Sequence, residues 1–367
     1  MKMAIVHDHL LITGGAERVF QYICEEFPEA DVYTLAYNPL KTYPFFLTKK
    51  IRTTFLNSLI QSMESFKWLF PVATSAMQLI DLREYDIVLS SSTTVAKFIR
   101  VPNGIHICYC FMPSRAIWQF EEYFGKGVKR KFIKLFLPYL QKRDYYAAQQ
   151  VNQFIAISQT TKKYILQYYQ REAKVLFSPI DLEVFIPSAP KKDHYLIVSR
   201  LEHWKRVDYA IEAFNILGLQ LRIIGTGSDE ARLKAMAKSN IKFLGNVDNK
   251  TLVMEYSEAL AVIFTPLLEY GLTPLEAIAC GTPVICLGLS GINETMINWK
   301  ENENCEEPAT AIFFYEQTAD ALIGAVKQFN KSKFNSIQLL RHASKWGVPI
   351  FKKNIRQLVN FYIDSSK

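Results

Sequence analysis

No apolar run in this 367-residue chain comes near the roughly 18 residues that a membrane-spanning helix requires, which excludes a bilayer-crossing segment. The six cysteines, Cys24, Cys108, Cys110, Cys280, Cys286 and Cys305, show none of the paired spacings of a zinc site. The opening Met-Lys-Met-Ala-Ile-Val reads as a strand rather than a secretory signal, so a reducing cytoplasm is the expected setting. Cys108 and Cys110 alternate along Ile105–Cys110 and fall on one face of an expected strand, as small buried apolar residues do. No two aspartates stand two apart, which removes an Asp-x-Asp clamp for a divalent cation. Gly225-Thr-Gly227 lacks the third glycine of a dinucleotide-binding turn, because Glu230 occupies its place, and this argues against a dehydrogenase. Repeats, low-complexity tracts and recognisable nucleic-acid-binding motifs are likewise missing, so no nucleic-acid partner is expected.

What is present is a globular composition, 49% hydrophobic and 21% charged, long enough for about two domains. The formal charge of +8 favours anionic partners such as nucleotide phosphates or an anionic membrane surface. Short apolar runs alternate with helix-like stretches: Met3–Val6, Asp31–Leu35, Asp86–Ser90, Ile105–Tyr109 and Phe154–Ser158. Residues 178–194 hold three prolines and end in charge, as a linker does. The pattern then restarts with Tyr195–Ser199, Leu219–Ile224, Ile241–Leu244, Ala261–Phe264, Pro283–Cys286 and Ala311–Phe314. We expect an α/β chain of two doubly wound, Rossmann-like parallel-sheet domains, residues 1–187 and 188–347, facing each other across a cleft that their strand C-termini line. Residues 348–367 are expected to form a helix that packs back on one of the domains.

The most informative stretch is Glu269-Tyr-Gly-Leu-Thr-Pro-Leu-Glu276, followed by Ala277–Ile285. Two carboxylates flank a turn that opens a helix; Gly271 permits close backbone approach, and Thr273 and Pro274 suit a helix start. Amides freed there point at an anion such as a phosphate. Arg200 and Lys205 follow the first strand of the second domain, where two cations can neutralise a diphosphate without a metal. Gly225 stands in the next strand-to-helix turn, and Gly14-Gly15 in the first domain's first turn; either could be an ordinary tight turn. Lys126, Lys129, Arg130, Lys131, Lys134, Lys142 and Arg143 interleave with Phe132, Ile133, Leu135, Phe136, Leu137, Tyr139 and Leu140. That pattern fits a basic amphipathic segment lying on an anionic bilayer, and equally a helix with its apolar face in the core.

With these residues laid out, nearly the whole chain resembles the retaining glycosyltransferases of family 4, which have the two-domain GT-B fold. The likeness is greatest to bacterial mannosyltransferases of O-antigen and other surface polysaccharides. It rests on Gly-Gly-Ala-Glu-Arg-Val19, Cys-Tyr-Cys-Phe-Met-Pro-Ser-Arg115 with Trp118, Gln170–Leu176, Val-Ser-Arg-Leu201 and Lys205–Asp208. It continues through Ile-Gly-Thr-Gly227, Phe-Leu-Gly245, Leu272–Ile285 and Gly-Ile-Asn-Glu-Thr295. The resemblance implies a cytoplasmic, peripherally membrane-associated hexosyltransferase. Its donor would be a nucleoside-diphosphate sugar, GDP-mannose above others, used without a metal or other cofactor, and its acceptor a lipid-linked or oligosaccharide chain.

By that resemblance Arg200 and Lys205 hold the donor diphosphate, Glu276 the ribose hydroxyls, and the amides around Gly271, Leu272 and Thr273 the sugar-linked phosphate. Gly14 and Gly15 close over the phosphates, Gly225 adds to the nucleotide site, the base stacks near Gly245 to Val247, and the final helix crosses back to the first domain. Two departures touch the reacting sugar. Glu269 and Glu276 are one residue closer than the family's paired glutamates, which puts Leu268 at the first-glutamate place, and Phe111 stands where the family has a histidine. Glu269 then becomes the candidate catalytic carboxylate beside Arg200 and Lys205. The alternative is a catalytically impaired, nucleotide-sugar-binding scaffold subunit.

Overall fold

The computed structural model describes residues 1–121, 128–300 and 308–364, without the side chains of Lys67 and of residues 128–133. Lys126 and Cys305, and the side chains of Lys129, Arg130, Lys131, Phe132 and Ile133, therefore lie outside the described residues.

Each apolar run noted above forms a strand, and all but the edge strand at Ile241–Gly245 are largely buried. In the first unit these are β1 (Met3–His7), β2 (Asp31–Thr34), β4 (Ile87–Ser92), β5 (Ile105–Cys110) and β6 (Gln153–Ala156); β3 (Ile51–Thr53) and β7 (Ala173–Val175) add the edges. The strands pair in parallel in the order β3-β2-β1-β4-β5-β6-β7, so connections reverse direction between β1 and β4. The second unit has β8 (Tyr195–Val198), β9 (Leu221–Ile224), β10 (Ile241–Gly245), β11 (Val262–Phe264), β12 (Val284–Leu287) and β13 (Ala311–Phe314). Their order, β10-β9-β8-β11-β12-β13, is also wholly parallel, and it reverses between β8 and β11. All-parallel pairing with helical crossovers explains why these runs read as continuous apolar segments: both faces of each sheet are covered.

The chain divides into Met1–Ser178 with Pro349–Lys367, and Pro179–Val348. The break at 178/179 precedes the expected 187/188 because Ile180 and Phe185 already pack into the second unit: Ile180 bridges Gly347, and Phe185 meets Tyr256 edge-on. The final helix, Val348–Asp364, belongs to the first unit for most of its length. There Lys352 bonds Glu25 at 2.8 Å, Arg356 bonds Glu26, and Phe351 meets Tyr109 edge-on.

Polar ties inside the first unit hold the crossover point of its sheet. Asp8, just past β1, is buried and accepts from the backbone amides of Thr93, Thr94, Val95 and Ala96 at 2.6–2.8 Å. Burial alone would raise its pKa, but the neighbouring His7 and His9 and those amides outweigh it and hold the carboxyl below its ordinary range. Lys97 and Asp144 form an ion pair at 2.7 Å with both side chains out of water. Trp118 Nε1 and the Tyr169 hydroxyl complete the Asp144 carboxylate at 2.7 and 2.6 Å. Cys108 and Cys110 are buried in the adjoining apolar cluster with Phe154 and Tyr169, in keeping with their reading as core residues.

His106 on β5 is buried, its Nε2 paired with the Ser90 hydroxyl at 2.7 Å, and burial pushes its pKa down to about 3. The unfolded chain binds a proton on this residue below about pH 6.5 that the native state refuses, so its contribution is intact above that pH and lost as pH falls. Native stability should therefore decline by up to about 1.4 kcal/mol per pH unit below about 6.5 from this group. Urea midpoints between pH 7 and 5 check this: His106→Gln should flatten the profile, and identical profiles would exclude the assignment.

Candidate functional site

In an open parallel sheet, ligands bind beyond the strand C-termini where the connections reverse direction. In the second unit that point lies between β8 and β11, and both loops leaving it carry residues singled out above.

The loop after β8 bears Arg200 and Lys205. Trp204 lies between them: the Arg200 guanidinium is 5.8 Å and the Lys205 ammonium 4.3 Å from its ring. Each cation thus stands over the indole. Arg206 next in the chain adopts a left-handed conformation, φ +54°, and its guanidinium covers Tyr209 at 3.8 Å while bonding Asp208 at 3.2 Å. That turn ends the loop and starts the Val207–Leu217 helix. Gly225 and Gly227 pack from behind. Gly225, φ +123°, lies where a Cβ would collide with the Ser199 carbonyl, and Leu201 N–H donates to the Thr226 carbonyl at 2.9 Å. Gly225 therefore braces the cationic loop through its backbone. Val247 sits half-buried after β10, just before Asp248 caps the Asn249–Glu258 helix.

The loop after β11 runs from Thr265 to Gly271 and touches the first: the Thr265 hydroxyl donates to the Lys205 carbonyl at 2.9 Å. The helix after it spans Leu272–Ala279, two residues earlier than a start at Pro274, with Gly271 in extended conformation as its N-cap. Gly271 has no side chain to cap the first turn and Pro274 has no N–H, so the Leu272 and Thr273 amides lack intrahelical acceptors. The Thr273 hydroxyl reaches back to the Val198 carbonyl at the end of β8, at 3.4 Å, and fixes the helix start beside the cationic loop. Glu276, one turn on, is half-buried and accepts from the Tyr256 hydroxyl at 2.8 Å. Burial, and then the Glu276 charge, push the Tyr256 pKa far up, so it stays protonated and orients the carboxylate.

Glu269 is buried within the turn, whereas Leu268 is half-buried and Leu267 exposed. Gly291 holds that arrangement: its N–H donates to the Leu268 carbonyl at 3.0 Å, and a Cβ there would collide with the Glu269 carbonyl. Gly291→Ala should thus cost about 1–3 kcal/mol by overpacking and displace the carboxylate turn. An unchanged urea midpoint would contradict that packing.

The structure therefore brings together Arg200, Lys205, Leu272, Thr273 and the Thr265–Gly271 turn, with Glu276 behind and Gly225 as a brace. Gly14 and Gly15 belong to the first unit, where Gly14 is the N-cap of the Gly15–Glu26 helix and its carbonyl accepts from the Tyr43 hydroxyl at 3.3 Å. Phe111 is buried in the same unit, edge-on to Tyr109, with its carbonyl accepting from Thr161 at 3.1 Å. Trp204, Tyr256 and Gly291 carry positioning roles that spacing did not signal. Among the described residues no cluster of His, Cys, Asp or Glu could hold a metal, and no helix is long and apolar enough to cross a membrane.

Residues 181–345 match the family described as glycosyl transferases group 1. The chain is 33% identical to a glycogen synthase of Mycobacterium tuberculosis over 30% of its own length, and spans 29% of that relative. It is 24% identical to the O-antigen chain mannosyltransferase RfbU of Salmonella typhimurium, over 52% of this chain and 57% of that one. Among solved structures it is similar to the Anabaena protein HepE in complex with UDP and glucose, with a TM-score of 0.69 at 15% identity over 98% and 99% of the two chains. It is also similar to sucrose-phosphate synthase of Thermosynechococcus elongatus, with a TM-score of 0.76 at 14% identity over the whole of both chains. The fold is that of the GT-B glycosyltransferases.

Proposed function

We propose that this chain is a retaining hexosyltransferase that moves a sugar, mannose from GDP-mannose above others, onto a lipid-linked or glycan acceptor of a surface polysaccharide. The observation that carries this reading is the meeting of Arg200 and Lys205, braced on Trp204, with the carboxylate-flanked helix start at Leu272 and Thr273. Two cations and two open amides at one point suit a departing diphosphate, the group on which negative charge grows as the sugar leaves. The acceptor hydroxyl arrives on the face that the diphosphate vacates. Glu269 faces the positive charge growing on the sugar, and Glu276 takes the ribose. Because side-chain cations supply the neutralisation, a divalent ion is not needed.

Support for the donor class comes from the group 1 match and from HepE, whose structures hold UDP and UDP-glucose. Support for mannose comes from the likeness to RfbU. A catalytically impaired scaffold is the second reading, favoured by the apolar Phe111 and Leu268. Donor hydrolysis across a panel of UDP- and GDP-sugars, with and without chelator, separates the two. Slow, chelator-resistant turnover of one donor supports the enzyme, and tight nucleotide binding with no turnover supports the scaffold.

A further inference from the structure

The second unit carries a groove that takes no part in the turns after β8 and β11. It lies at the C-terminal end of β13, the edge of the sheet, against the Ala319–Phe329 helix, and has a volume of about 490 Å³. Sites for small ligands span roughly 300–1,000 Å³. Apolar groups make the floor. Phe314 and Ala325 belong to the core of the unit, and Ala321, one turn before Ala325, keeps the helix side low. Phe313 is half-buried beside them, and its ring packs so closely on Gly288 that a Cβ there would collide with it. The Gly288 N–H donates to the Phe314 carbonyl at 2.7 Å, which fixes the floor to the loop after β12.

The rim is polar and carries one exposed ring. Tyr315 is 57% exposed and stands edge-on to Phe313 at 6.4 Å. Glu316 and Thr318 follow it in the turn, and Asp320 and Gln328 come from the helix. The Thr318 oxygen accepts from the Ala321 amide at 3.2 Å, so its own proton is left to donate outward. Both carboxylates are exposed, and among the described residues neither meets a cation or a hydrogen-bond donor, in a chain of formal charge +8. The helix start favours Asp320, whereas Glu316 precedes the Thr318 cap and gains nothing from the helix. Gln317, between Glu316 and Thr318, donates to the Thr265 carbonyl at 3.1 Å and ties this turn to the loop after β11.

The mixture of groups selects the ligand. An organic cation would satisfy the two carboxylates and leave the Thr318 hydroxyl and the Gln328 amide protons idle. A sugar ring uses all four: its hydroxyls donate to the carboxylates and accept from the other two, while its C–H face covers an aromatic ring. We propose that this groove binds a neutral mono- or disaccharide, with Tyr315 against a ring face and Glu316 and Asp320 accepting from sugar hydroxyls. The inference goes beyond the transferase reading and stands without it, since none of these residues belongs to the nucleotide turns.

Calorimetry and saturation-transfer NMR on the full-length protein test it, with neutral mono- and disaccharides of mannose, glucose, galactose and N-acetylglucosamine as probes and free arginine as the cationic probe. At least one saccharide should bind. Tyr315→Ala should weaken that binding about three- to tenfold, and Asp320→Asn about tenfold. Circular dichroism should report both variants folded, and their UDP and GDP affinities and donor hydrolysis should match the wild type, which separates this proposal from the fate of the transferase reading. No binding of any probe saccharide would overturn it, as would saccharide binding indifferent to both substitutions. Arginine binding lost in Asp320→Asn, without saccharide binding, would assign the groove to organic cations instead.

Discussion

Arg200→Ala should weaken binding of the cognate nucleoside diphosphate by about 30- to 1000-fold, or roughly 2–4 kcal/mol, while leaving the fold intact. The side chain is exposed and rests on Trp204, so its removal empties no core and orphans no buried group. What is lost is one charge-assisted, bidentate contact to the diphosphate, and Lys205, a single point charge, replaces only part of it. Calorimetry with UDP and GDP measures the change. Equal affinity in a folded variant would remove Arg200 from the site.

Glu269→Gln should lower donor turnover by about 100- to 1000-fold, with a much smaller change in nucleotide affinity. The carboxylate is buried beside the helix start, where water screens it poorly and its attraction for a positive charge on the sugar is strongest. Glutamine keeps the shape and the hydrogen-bonding capacity and removes the charge. Glu276→Gln should show the opposite split, weaker donor binding with turnover less affected, because on the proposed reading this carboxylate, held by Tyr256, takes the ribose and does not face the reacting carbon. Initial-rate kinetics on the two variants separate the roles. Turnover unaffected in Glu269→Gln would transfer the catalytic part elsewhere.

What could be read from the residues follows the physics of a parallel sheet. Strands buried on both faces stand out as apolar runs, and so the order of elements in both halves was legible, as was the position of Arg200 and Lys205 after β8. The edge strands Ile51–Thr53 and Ala173–Val175 were not, because each is three residues long and carries a charged residue at its centre. The anion turn could be seen, but its helix begins at Leu272 rather than Pro274, since an extended Gly271 serves as the cap without contributing a side chain. Trp204, Tyr256 and Gly291 act through contacts that depend on side-chain direction and on loops distant in the chain. No periodicity records them. The same holds for Asp144, which reads as one more charge on a basic helix until the fold pairs it with Lys97.

The central claim, that the turns after β8 and β11 hold a nucleoside diphosphate, is tested most directly by a crystal structure with UDP or GDP bound in the presence of chelator. The account predicts diphosphate oxygens within hydrogen-bonding distance of Arg200, Lys205 and the Leu272 and Thr273 amides, with the ribose at Glu276. A nucleotide seated away from these residues, or one that binds only when a divalent metal bridges it to the protein, would contradict it.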